Sequence, residues 1–171
     1  MTLSRNPSQP AAVVALAQQQ SDPRLALEIF RAVLDTEQDG FEPVPEGASL
    51  WDRPDARPHL EALLGAAASL RRLDRREEAA DRLRELLRLD PADHQFARYW
   101  LAAILLDLEQ HDALKRLFER REERTAVWQY ARALFAFRLD GDTDHARQLV
   151  QEARGPLPGP RRGPAGSCAF R

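Results

Sequence analysis

The chain has a single cysteine, Cys168, so no internal disulfide can form and a disulfide-held scaffold is excluded. That usage fits a reducing compartment, and a cytoplasmic location is the expectation. No uncharged apolar run approaches the roughly 20 residues of a membrane-spanning helix, so no membrane contact is expected. Valine, isoleucine and threonine are sparse and never alternate over a stretch, which leaves a sheet little to be built from. Of the 25 basic residues all but Lys115 are arginine, and a formal charge of −2 gives no global attraction to phosphate. Reaction centres are missing too: there is no glycine-rich phosphate loop, no Gly-x-Ser-x-Gly elbow and no cysteine beside a histidine on a recognisable framework. His59, His94, His111 and His145 are scattered, with no pair at three- or four-residue spacing. The expectation is a protein that is not an enzyme, with no catalytic, metal or cofactor site.

What is present is a helical chain. With 171 residues, 43% of them hydrophobic, it can bury roughly two-thirds of its unfolded surface in a core. Ala11 to Ala17 follows Arg5 and closes with Ala15-Leu16-Ala17, as a signal peptide would, but Pro10 directly precedes it and its length is at the lower limit. A short structural helix is the better reading. Ser21-Asp22-Pro23 then caps a second helix, expected from about Pro23 to Asp35, with Ala26 and Phe30 one turn apart. Asp39-Gly40 stops it. Pro43, Pro45, Pro54 and Pro58 make residues 41–59 a connecting loop, in which Trp51 is expected to cover neighbouring helices.

From Arg57 to Ala153 the pattern is helix after helix, in three pairs, with breaks at Leu73-Asp74, Asp90-Pro91, Glu109-Gln110, Arg124-Thr125 and Asp140-Gly141-Asp142. The first pair reads Leu63-x-x-Ala66-Ala67-x-x-Leu70, then Ala79-x-x-x-Leu83. The second reads Arg98-x-x-Leu101-Ala102-x-x-Leu105, then Leu114-x-x-x-Phe118, so positions 63 and 98, and 79 and 114, are both 35 residues apart. The third, Trp128-x-x-Ala131-Arg132-x-x-Phe135 and Ala146-x-x-x-Val150, keeps a looser register. These residues resemble the tetratricopeptide repeat, with Asp90-Pro91 at the repeat's terminal proline; Ala67 and Ala102 stand where that family favours glycine, and Arg98 and Arg132 depart from it. The resemblance implies an all-α fold of antiparallel helix hairpins stacked in a right-handed superhelix. It divides the chain into a degenerate helical pair with a proline-rich loop over 1–56, three repeat-like pairs over 57–153, and a disordered Pro/Gly/Arg tail over 154–171.

The resemblance also implies a groove that binds a peptide or helix of a protein partner, lined by Leu64, Arg72, Phe96, Tyr99, Leu106 and Gln129. A charge clamp for a terminal carboxylate is not there, since Arg72 is the only cation among these positions. An alternative stays open, that the same residues contact the amino-terminal segment of their own chain. Arg71-Arg72 and Arg75-Arg76 run straight into Glu77, Glu78, Asp81 and Glu85, a solvated mixed face unsuited to nucleic acid, with Glu78 and Arg82 placed to pair. Asp140-Gly141-Asp142-Thr143-Asp144 has its glycine second rather than sixth and is read as a turn and helix cap, not a calcium loop. Because the tail is too rich in proline and glycine to supply a closing helix, the flank around Val150 is expected to be open. Either the natural product is longer, or another copy covers that flank in a homo-oligomer.

Overall fold

A computed structural model describes residues 8–37, 48–120, 123 and 125–154. The loop around Pro43 and Pro45 and the tail from Gly155, Cys168 included, lie outside the described residues. The described chain is all helical, with no strand among the described residues: α1 (Ser8–Gln18), α2 (Pro23–Glu37), a one-turn 3-10 helix (Leu50–Asp52), α3 (Arg57–Arg72), α4 (Arg76–Leu89), α5 (Ala97–Asp107), α6 (His111–Glu119), α7 (Ala126–Asp140) and α8 (Asp144–Arg154). None of these helices is long and apolar enough to cross a membrane. The chain divides into two compact units, Met1–Arg120 and Arg121–Arg171.

In the first unit each helix packs on the next, and α1 also reaches α3. Asp22 starts α2 by accepting from the Arg24 N–H (2.9 Å), with Pro23 in the first turn where its missing N–H costs nothing. Phe30 of α2, 3% exposed, lies over Gly65 of α3, and a Cβ built at Gly65 would clash with the outer end of the phenyl ring, around Cζ. The glycine is the notch that lets α2 and α3 close up.

The 35-residue step is written into the backbone of two turns. After α3, Asp74 adopts φ 60°, and the N–H groups of Arg75 and Asp74 donate to Leu70 (2.9 Å) and Arg71 (3.1 Å). After α5, Glu109 adopts φ 55°, and Gln110 and Glu109 donate to Leu105 (3.0 Å) and Leu106 (3.3 Å). Both are left-handed helix ends of the kind glycine usually makes, here made by an aspartate and a glutamate. The next helices begin alike, with Ala79 donating to Arg75 and Leu114 to Gln110.

Between the helices, Ala66, Ala67, Ala79 and Ala102 are buried beside Leu63, Leu70 and Leu83, small against large, while Phe118 is half-buried. Ala67 has no exposed surface, so Ala67→Leu should overpack the α3–α4 hairpin and cost about 1–3 kcal/mol. A urea unfolding midpoint no lower than that of the parent would contradict this packing.

In the second unit α7 and α8 form a hairpin around Ala133, Ala136, Ala146 and Leu149. Gly141 turns the chain at φ 77°, ψ −157°, a region open essentially to glycine alone. Thr143 Oγ1 then accepts from the Ala146 N–H (3.2 Å), capping α8, and Asp142 takes a two-pronged ion pair from Arg147 (2.7 and 2.9 Å).

Candidate functional site

The first candidate surface is the start of α5, which a buried polar network positions. Asp90, 1% exposed, follows α4 and receives three hydrogen bonds: from Ser49 Oγ (2.6 Å), from the His94 N–H (2.7 Å) and from His94 Nδ1 (2.8 Å). Trp51 stacks on the His94 ring at 5.6 Å and 10°, and Arg57 covers Trp51 while donating to its carbonyl (3.0 Å). The segment before α3 is thereby pinned to the turn before α5. Burial pushes the Asp90 carboxyl upward, but the Ser49 and His94 hydrogen bonds outweigh it and hold the group below its ordinary 3.8. The carboxylate stands between hydroxyl and imidazole, with Ser49 Oγ and His94 Nδ1 converging on the same Asp90 oxygen.

Asp93, also buried and at φ 59°, accepts from the Ala97 N–H (2.6 Å) and pairs with Arg98 (3.2 Å). Burial raises its carboxyl above the ordinary range in spite of those donors. Asp93 thus satisfies the first turn of α5, and Arg98, an oddity in the repeat pattern, is there to face it.

On this footing stands an aromatic face. Phe96 sits at φ 58°, a strained setting for a bulky side chain, with 60% of its surface exposed. Its ring meets Tyr99 at 6.2 Å, Arg98 lies over Tyr99 at 5.3 Å, and the Arg71 guanidinium lies over Trp100, itself 38% exposed, at 5.2 Å.

The sequence-predicted groove residues are distributed unevenly. Phe96 is exposed, and Leu64 and Tyr99 are half-buried. Leu106 is 8% exposed and belongs to the core. The Arg72 guanidinium donates to the Ser21 carbonyl (2.7 Å), so it braces the α1–α2 turn, as the alternative reading had it. Gln129, in the second unit, donates to the Glu123 carbonyl (2.7 Å). Glu78 pairs with Arg75, three residues before it, at 2.6 Å, rather than with the expected Arg82. Trp100, Arg71, Asp90, Asp93 and Gly65 were not singled out for these roles by sequence reasoning. The misfit of Arg98 was the one signal pointing at the buried pair with Asp93.

The second surface is on the α7–α8 hairpin. Val127, Tyr130, Leu134, Phe137 and Leu139 of α7 are each between 44% and 64% exposed. Tyr130, Leu134 and Phe137 line an open apolar groove of about 280 Å³ with Ala133, Ala146 and Val150, and the Asp142–Arg147 pair closes its rim. Among the described residues no group of three or more His, Cys, Asp or Glu converges on a position where a metal ion would sit.

Compared with known protein families, curated proteins and solved structures, the chain matches none of them.

Proposed function

We propose that this chain is a non-catalytic protein-interaction scaffold of the tetratricopeptide kind, its hairpins stacked in a right-handed superhelix, which binds a peptide or helix of a protein partner on the aromatic face of α5. The observation that carries the reading is Phe96. A phenylalanine held at positive φ and left 60% exposed costs backbone strain without core burial in return, the pattern expected where a side chain is kept for contact. Tyr99 and Trp100 extend that face, and Arg71 adds a cation to it, a composition typical of the residues that dominate binding energy. Absence of a charge clamp suits a partner presented by its apolar side.

The test separates strain from contact. Phe96→Gly removes the φ penalty, so the folded state should gain about 1 kcal/mol, some 2–4 °C in Tm. The same substitution should weaken partner capture from the source cell about 30-fold, as should Tyr99→Ala. A Phe96→Gly protein that captures its partner with unchanged affinity would remove the proposal.

A second reading, self-association, is favoured by the uncovered groove of α7 and α8. A hairpin in a helical array ordinarily buries such a flank against the next element.

A further inference from the structure

The groove on the α7–α8 hairpin runs along both helices, from Tyr130 and Val150 at one end to Phe137 and the Asp142–Arg147 pair at the other. Apart from the Tyr130 hydroxyl and that rim pair its lining side chains are apolar, so a backbone laid along it finds almost no acceptor for its N–H groups. The chain that follows α8 has few to lose. It reads Gly155-Pro156-Leu157-Pro158-Gly159-Pro160-Arg161-Arg162, and three of its first six residues carry no N–H. Such a sequence favours the polyproline-II strand, whose three residues per turn set Leu157 and Pro160 on one face, about 9 Å apart. Tyr130 and Phe137, seven residues apart on α7, are spaced by about 10 Å.

Connectivity and charge favour the same match. Helix α8 runs antiparallel to α7, so Arg154 ends one turn past Val150, at the Tyr130 end of the groove. From there back to Asp144 is about 15 Å along the helix. Seven polyproline-II residues span about 22 Å, enough to turn and bring Arg161 and Arg162 to the far end. The α7–α8 turn is acidic on balance, with exposed Asp140, Asp142 and Asp144 against Arg138 and Arg147, whereas residues 155–162 hold two arginines and no acid. We propose that residues 155–162 fold back from α8 as a polyproline-II strand and cover the groove. Leu157 and Pro160 then face Tyr130, Leu134 and Phe137, and Arg161 and Arg162 face the three aspartates. This strap takes the place that the self-association reading gives to a second copy.

The lone cysteine, Cys168, lies six residues beyond Arg162 and accepts a nitroxide label with no substitution. With the strap in place, a flexible six-residue span holds the label at an r.m.s. distance of about 13 Å from the α7–α8 turn. In NMR spectra of the full chain the Gly141 and Asp144 amides should therefore lose intensity while Val127 keeps it. A tail tethered only at Arg154 would reverse that order, bleaching Val127 first, and would overturn the proposal. Leu157→Asp, and Arg161→Glu combined with Arg162→Glu, alter residues beyond α8, and each should produce the reversed order at parent helicity by circular dichroism. Retention of the parent order by both variants would likewise overturn it. A last mixture separates the occupants, isotope-enriched chain without label against labelled chain without enrichment. Full intensity at Gly141 there upholds the strap, and loss of intensity would assign the covering segment to a second copy and overturn the contact within one chain.

Discussion

Gly65→Ala should destabilise the protein by about 1–3 kcal/mol, although alanine is the better helix former by about 1 kcal/mol. Gly65 lies mid-helix in α3, where propensity alone favours replacement, and the added methyl would clash with the tip of the Phe30 ring. Phe30 cannot simply turn aside, since it is 3% exposed and packed on all sides. Its displacement would separate α2 from α3. Relief should come from the partner: Phe30→Leu, itself destabilising, should cost less in the Gly65→Ala background than in the parent, by at least about 1 kcal/mol in a double-mutant cycle. Urea denaturation of the four proteins gives the numbers. A Gly65→Ala protein more stable than its parent would mean that α2 and α3 do not approach as described.

Asp90→Ala should be costly as well, at about 3 kcal/mol, because it strands the Ser49 hydroxyl and the His94 N–H that the carboxylate holds. Asparagine should restore only part, since its amide N–H group would face at least one of the three donors that the carboxylate accepts from. The pH dependence follows from the direction of the shift. A carboxyl whose folded-state value lies below 3.8 adds stability that is complete above 3.8 and disappears as pH falls through the folded value. The parent should therefore lose stability on that descent, and Asp90→Ala should lose less of it. Asp93 works in the opposite sense. Its raised carboxyl is a burden above its folded value, relieved as pH falls toward 3.8, so Asp93→Asn should steepen the acid loss. Chemical denaturation at a series of pH values from about 7 downward through 3.8 separates the two.

Helix boundaries were legible because the residues that end helices act locally. Pro23, Asp74, Glu109 and Gly141 each mark a break through their own backbone preference or their neighbours' hydrogen bonds. The 35-residue step was legible for the same reason, and the turns at Asp74 and Glu109 repeat it in atomic detail. What could not be read was reach across the fold. Ser49 and Asp90 are 41 positions apart, and nothing in either neighbourhood advertises the other. Arg72 looked free because Ser21, its acceptor, offers only a carbonyl. Leu106 and Phe96 both fit the spacing of a groove, yet one is interior and the other is open. An apolar stripe such as Tyr130, Leu134 and Phe137 has the period of a covered face, and periodicity carries no record of whether a cover exists.

The Ser49–Asp90 hydrogen bond encircles α3 and α4, since one partner precedes the first helix and the other follows the second. This hairpin is thus a non-covalent ring with its chain crossing closed like a buckle. Cleavage of the backbone at Asp74, on the far side of that ring, would leave both pieces fastened at the buckle and along the helix seam. New chain ends there would interrupt the polypeptide without removing the hydrogen bond that ties Ser49 to Asp90.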